Sequence, residues 1–170
     1  AIDENLQTLR HSCAHVMAEA VLRLFPGTKI AIGPAIENGF YYDFDFPQGT
    51  KFTETDFTAV EKEMRRILTT GAEFVRKEVS KEEALKLFAD EPYKVELIND
   101  LPEGETITTY EQDGFIDLCR GPHVATTKEI NGQAFKIAKV AGAYWRGDSS
   151  RPMLTRVYAY CFAKPNELKD

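Results

Sequence analysis

The chain has 170 residues, 43% of them hydrophobic and 28% charged, and its formal net charge is −6. That suffices for one domain with a sizeable core and excludes wholesale disorder, because Phe, Tyr, Leu, Ile and Val recur along most of the length. No apolar run approaches the roughly 18 residues a membrane span needs, and three cysteines, an odd and low count, point to a reducing, cytosolic setting rather than a disulfide scaffold.

The elements are read in chain order. The first residues, Ala1-Ile2-Asp3-Glu4-Asn5, carry neither a basic region nor an apolar stretch, so no secretory signal is expected. The missing initiator Met leads us to expect an excised piece or a processed chain. Residues 4–24 read as a helix, with Leu6, Leu9, Cys13, Val16, Met17, Ala20 and Leu24 at three- and four-residue steps and Pro26-Gly27 as the stop. Residues 29–37 and 39–46 read as strands joined at Asn38-Gly39, a strong hairpin signal. Residues 54–69 give a second helix with Phe57, Val60, Met64, Ile67 and Leu68 as its apolar stripe, and residues 73–79 a strand. Ser80-Lys-Glu-Glu83 fits a capping box for a third helix to about Ala89, and Pro92 suits the first turn of a short fourth. Two strands flank Asp113-Gly114 within residues 105–118, two more span 135–145 and 153–162, and 163–170 is expected to begin a linker. The mixture, with hairpin-length connections and no β-α-β alternation, predicts one α+β domain. A largely antiparallel sheet should carry the long N-terminal helix and further short helices.

Charge is uneven: residues 1–114 sum to −10 and residues 115–170 to +4. Arg120, Lys136, Lys139, Arg151 and Arg156 could turn a basic face to a polyanion, although charge alone favours an ordinary solvated surface.

All three histidines fall in two short pieces, His11-Ser-Cys-Ala-His15 and Cys119-Arg-Gly-Pro-His123. On a helix the first pair shares one face, and Gly121-Pro122 makes the second piece a turn. Three readings compete. The residues could be unrelated surface groups, a zinc site of imidazole and thiolate ligands, or a metal-free site in which histidines activate water. Spacing alone favours zinc without deciding the matter.

Four longer motifs occur in order: Leu9-Arg-His-Ser-Cys-Ala-His15, Ala31-Ile-Gly-Pro-Ala-Ile-Glu-Asn-Gly-Phe-Tyr-Tyr-Asp43, Asp117-Leu-Cys-Arg-Gly-Pro-His123 and Val140-Ala-Gly-Ala-Tyr-Trp-Arg-Gly-Asp148. Through them the chain resembles the editing domain of bacterial-type threonyl-tRNA synthetases, from about residue 8 to 163. The resemblance implies hydrolysis of serine mischarged onto tRNA(Thr), with Thr-tRNA(Thr) spared. The implied partners are the seryl acceptor end and the remainder of a cytoplasmic synthetase. It implies His11 as orienter and base of a water, Lys94 as electrostatic support, Asp117 as holder of the seryl group, and His15, Cys119 and His123 as further pocket residues. It implies no required cofactor; the alternative, taken from related alanyl-type editing domains, is zinc on His11, His15, Cys119 and His123. A tRNA-binding module without catalysis is the other rival.

Further expectations are looser. Tyr41 and Tyr42 should face opposite sides of their strand, one toward the pocket. Trp145 could stack on a base of the 3′ end and Arg146 could meet a phosphate; alternatively Trp145 fills the core and Arg146 pairs with Asp148. Cys13 and Cys161 are expected to be core thiols.

Overall fold

The computed structural model describes residues 3–168. Asp3 caps the first helix, α1 (Glu4–Leu24), its carboxylate accepting the Leu6 N–H at 3.1 Å. Strands β1 (Lys29–Ile30), β2 (Ala35–Ile36) and β3 (Gly39–Asp45) follow, then α2 (Phe57–Thr69), β4 (Val75–Val79), α3 (Lys81–Leu87) and α4 (Pro92–Asn99). The hairpin β5 (Ile107–Gln112) and β6 (Phe115–Leu118) leads to the long strands β7 (Phe135–Tyr144) and β8 (Met153–Cys161), and α5 (Pro165–Leu168) ends the described chain. Part of the expected linker is thus a helical turn; its residues 169–170 lie outside the described residues.

The fold is α+β and every pairing between named strands is antiparallel, but there are two sheets rather than one. A larger sheet runs β1-β3-β8-β7 with β2 also on β3, and a smaller one runs β4-β5-β6. The β5–β6 turn takes the expected two residues, Asp113 at φ +50° and Gly114 at φ +83°, the left-handed pair that such a tight turn requires.

The expected strand over 29–37 is interrupted. Pro34 has no N–H to give a ladder, and residues 31–34 cross β3 by three isolated bonds, Ala31 N–H to Asp43 O at 2.9 Å, Asp43 N–H to Ile32 O at 2.8 Å and Tyr41 N–H to Pro34 O at 3.3 Å. Gly33 lies flat on the Tyr42 ring: a Cβ there would come within 2.1 Å of Tyr42 Cδ2. Only glycine permits that approach, and the approach seals Tyr42 at 0% exposure.

Helix α1 departs from a one-sided stripe. Residues 12–21 are all buried, on every face of the helix, with Leu9 before them. Ser12, Cys13, Ala14, Ala18 and Ala20 are small, so neighbours close in from all sides. The stripe of α2 (Val60, Met64, Ile67, Leu68) packs into the same core with Phe40, Phe44, Phe135 and Val157 from the larger sheet. Two smaller clusters sit apart, one of Val79, Ala84, Phe88, Ile98 and Ile107, the other of Ala31, Tyr93, Trp145 and Leu154.

Burial all round α1 also encloses an acid that the sequence pattern did not reveal. Glu19 is 3% exposed and accepts a bond from Gln112 Nε2 at 3.2 Å, while Arg23 stands 2.7 Å from its other oxygen. Burial raises the Glu19 carboxyl and Asp113 adds to the effect; Arg23 and Gln112 oppose it without prevailing, and it is pushed up to about 8. A raised carboxyl means the folded state holds a proton that the unfolded chain releases near 4.5, so this group's stabilisation is lost as pH rises from there to about 8. Glu19→Gln removes that slope. The thermal midpoint of Glu19→Gln should gain on the wild type between pH 5 and pH 8.5; a difference that stays flat or shrinks would show that Arg23 keeps Glu19 ionised.

Candidate active site

Four elements converge. Helix α1 supplies His11, Ser12 and His15; β3 supplies Tyr42; α4, started by Pro92, supplies Lys94; β6 supplies Asp117 and runs into the turn of Cys119, Gly121, Pro122 and His123. Asp117 is the hub. Its Oδ1 accepts from Lys94 Nζ at 2.6 Å and from the Leu118 N–H at 2.7 Å; its Oδ2 accepts from the Tyr42 hydroxyl at 2.5 Å and lies 3.3 Å from His15 Nε2. Tyr42, Lys94, Asp117 and His15 are 0%, 2%, 2% and 3% exposed.

The electrostatics follow from burial. Burial alone would raise the Asp117 carboxyl, but Lys94, His15 and the bonds from Lys94 and Tyr42 outweigh it and hold it below the usual range. Burial, with the Lys94 and His11 charges, lowers His15 to about 4 against the pull of Asp117. His15 is therefore neutral at physiological pH and offers Asp117 an N–H from Nε2, leaving its buried Nδ1 without a hydrogen-bond partner among the described residues.

His11 and His123 complete the cluster. His11 is half-buried and lines a cavity of about 360 Å³ with Glu4, Gln7, Thr8, Gly121 and Pro122. Burial lowers its pKa, partly offset by Asp117. The His123 ring is caged by Phe74, Tyr110 and His15, with centroids 5.2, 4.4 and 4.2 Å away. Burial first, then His15 and His11, lowers it to about 2. Cys119 Sγ lies 3.3 Å from His123 Nε2, and burial raises the thiol to about 11.

His15, Cys119 and His123 each offer one ligand atom, all within 4.8 Å of one another. The donor types and number fit a metal site with an open fourth position. His11 does not belong to that group among the described residues, so the four-residue zinc set expected from the motifs contracts to three.

Two expected contacts are corrected. Trp145 is 2% exposed; its indole N–H donates to Glu96 Oε2 at 2.9 Å and its ring meets Tyr93 edge-on at 5.0 Å, so no face is open to stack on a base. Arg146 pairs with Asp100 at 2.5 Å and Glu96 at 3.3 Å rather than with Asp148, whose carboxylate caps Ser150. Three of the five residues expected to form a basic face are also spent on carboxylates: Arg120 on Glu105, Arg151 on Glu96 and Arg156 on Asp43. Tyr42 turns inward to Asp117, while Tyr41 turns outward under the Arg156 guanidinium, 4.0 Å from its ring centre. Cys13 and Cys161 are buried at 0% and 1% exposure. Ser12 and Gln112 join this region without being among the expected site residues. A serine buried mid-helix between two histidines was the available signal for the first; nothing in the sequence marked the second.

Removing one partner of a buried pair strands the other charge. Asp117→Ala should therefore cost about 3–5 kcal/mol of stability, read by urea unfolding, and Lys94→Ala should be costly for the same reason. Adding Lys94→Met to Asp117→Ala should restore much of the loss, whereas additive penalties would deny the pairing. His11→Ala, at the half-buried rim, should stay within about 1 kcal/mol of wild type.

Residues 107–158 match the family described as threonyl and alanyl tRNA synthetase second additional domain. Over 165 residues the chain is 54% identical to the threonine–tRNA ligase of Rhodopseudomonas palustris, covering 96% of this chain and 25% of that protein. It is 50% identical over 167 residues to that of Borrelia turicatae, covering 98% and 28%, and 53% identical over 170 residues to that of Rhizobium rhizogenes, covering 99% and 25%. The chain thus spans about a quarter of the length of these relatives. Nearly all of the chain aligns at about half identity with these ligases, and residues 107–158, which carry Asp117, Cys119 and His123 of the site just described, are the part that matches the threonyl and alanyl tRNA synthetase second additional domain.

Proposed function

We propose that this domain hydrolyses the ester joining serine to the 3′ end of tRNA(Thr) and spares Thr-tRNA(Thr), as the proofreading part of a cytoplasmic threonyl-tRNA synthetase. The observation that carries the reading is a half-buried, neutral histidine at a cavity, His11, beside the buried group of Lys94, Asp117, Tyr42 and His15. The chemical need is general. A threonine pocket gains only about 1–3 kcal/mol against serine, which lacks one methyl, so a second site must remove the error.

His11 accepts a proton from a water poised over the ester carbonyl. The water oxygen bonds to the carbonyl carbon, the bond to the ribose oxygen breaks, and the proton passes from His11 to that oxygen. The Lys94 ammonium offsets negative charge on oxygen as the ester opens. Asp117, kept ionised, attracts the seryl ammonium, with Tyr42 fixing the carboxylate's second oxygen. His15 stays neutral and orients Asp117. Cys119 and His123 shape the wall beside them.

The gathered His15, Cys119 and His123 favour a second reading, in which the three hold zinc and the ion supplies Lewis-acid polarisation there. We expect little zinc by elemental analysis and full activity in chelator. Stoichiometric zinc, with activity lost on its removal, would transfer the proposal to the metal.

Single-turnover deacylation tests the main reading. The wild type should clear Ser-tRNA(Thr) and leave Thr-tRNA(Thr), and folded His11→Ala should be about 10²–10⁴-fold slower on the seryl ester. Binding without hydrolysis of either would leave a silent tRNA-binding module. Because burial lowers the His11 pKa from 6.5, its neutral form is complete at lower pH than for an exposed histidine. The rate should therefore rise with pH through a midpoint below 6.5 and then level off; a rise continuing beyond pH 8 would exclude His11 as the base.

A further inference from the structure

The Ser12 hydroxyl is surrounded by three partners although it carries one proton. Its oxygen lies 2.9 Å from the Thr8 carbonyl, 2.9 Å from His123 Nδ1 and 3.0 Å from the Val124 N–H. Ser12 is 0% exposed, so no bulk water relaxes the arrangement. The Val124 N–H can only donate, and the Thr8 oxygen can only accept. One assignment satisfies all four groups: Ser12 donates to Thr8 and accepts from both Val124 N–H and His123 Nδ1–H, filling its two lone pairs. The reverse assignment sends the Ser12 proton to His123 and leaves two oxygens facing each other at 2.9 Å with no hydrogen between them.

From this geometry we infer that Ser12 is a positioning residue, which fixes His123 in the Nδ1–H tautomer and turns the lone pair of Nε2 toward Cys119. The consequence runs down a directional string. Gly121 N–H donates to Cys119 Sγ at 3.3 Å, the thiol hydrogen turns to His123 Nε2 at 3.3 Å, His123 Nδ1–H bonds to Ser12, and Ser12 bonds to Thr8. Each member is polarised in the same sense by its neighbour. The string ties the Cys119 turn to α1, one residue after His11, and so sets the distance between the rim histidine and the wall of the cavity. An imidazole whose Nε2 is to bind a metal needs the same tautomer, so the assignment holds under either reading of the site.

For activity, the inference rests on the editing reading; for tautomer, it stands apart, and two measurements separate them. Nitrogen-15 ring spectra of the whole domain, with only three histidines to assign, report the tautomer directly. His123 should show Nδ1–H in the wild type. Ser12→Ala should lose that signature and shift to Nε2–H or a mixture, and Ser12→Thr, which keeps the hydroxyl, should retain it. Circular dichroism and thermal melting identify any variant that fails to fold; the wild-type spectrum alone then decides, and Nε2–H there overturns the inference. So does a folded Ser12→Ala that keeps Nδ1–H. In single-turnover deacylation of Ser-tRNA(Thr), Ser12→Ala should be slower by about tenfold or more, as for other partners that orient a functional imidazole, with Ser12→Thr rescuing the rate. A shifted tautomer with no deacylation by any variant, wild type included, would reject the editing reading and leave the positioning role standing.

Discussion

A buried ammonium and a buried carboxylate cannot be left apart, and the site is organised around bringing them together. Lys94 and Asp117 stand 2.6 Å apart with almost no exposure, so each would carry a heavy desolvation cost without the other. Lys94 comes from a short helix whose intrinsic stability is slight and Asp117 from an edge strand of the smaller sheet. Their pairing, together with the Tyr42 bond, links α4, the smaller sheet and the larger sheet at one carboxylate. The site is therefore also a structural junction.

Neutral imidazoles are the complement of that pair. With one cation and one anion already in place, further charge in the cluster would be uncompensated, and burial lowers all three histidines. Their differing exposure divides the labour. His15 and His123 are enclosed by rings and hydrogen bonds, whereas His11 meets a cavity. Three residues of one type, within two short motifs, thus occupy three different environments.

Much of this was legible beforehand, for definable reasons. The helices over 4–24 and 54–69, the Asp113-Gly114 hairpin and the two late strands carry strong local signals, namely periodicity, caps and a two-residue turn, and they stand where expected. The continuous strand expected over 29–37 is broken because Gly33 answers to a contact with Tyr42, nine residues ahead, that no local pattern encodes. The gathering of His11, His15, Asp117, Cys119 and His123 followed from the motifs. The burial of Lys94 did not, since its own stretch reads as a solvated helix and only the tertiary partner Asp117 draws it inward. Trp145 is closed to base stacking and Arg146 is held in ion pairs because Glu96 of α4 and Asp100 just after it engage them. An acid's position in space, unlike an aromatic's presence in a motif, is invisible in one chain.

The enclosure of α1 on every side has a mechanical consequence. A surface helix can roll a few degrees about its axis and lose only solvent contacts, whereas this one, packed all round through residues 12–21, has no free side to give way. His11, Ser12 and His15 ride on that single rod, so their mutual angles are set by helical pitch and their aim by whatever fills the opposite side. Ala14 and Ala18 touch none of the chemistry, yet they act as spacers for it: a bulkier residue at either point would rotate the whole row of polar groups together. The alignment of the site is thus written into alanines, whose contribution is the volume they leave to others.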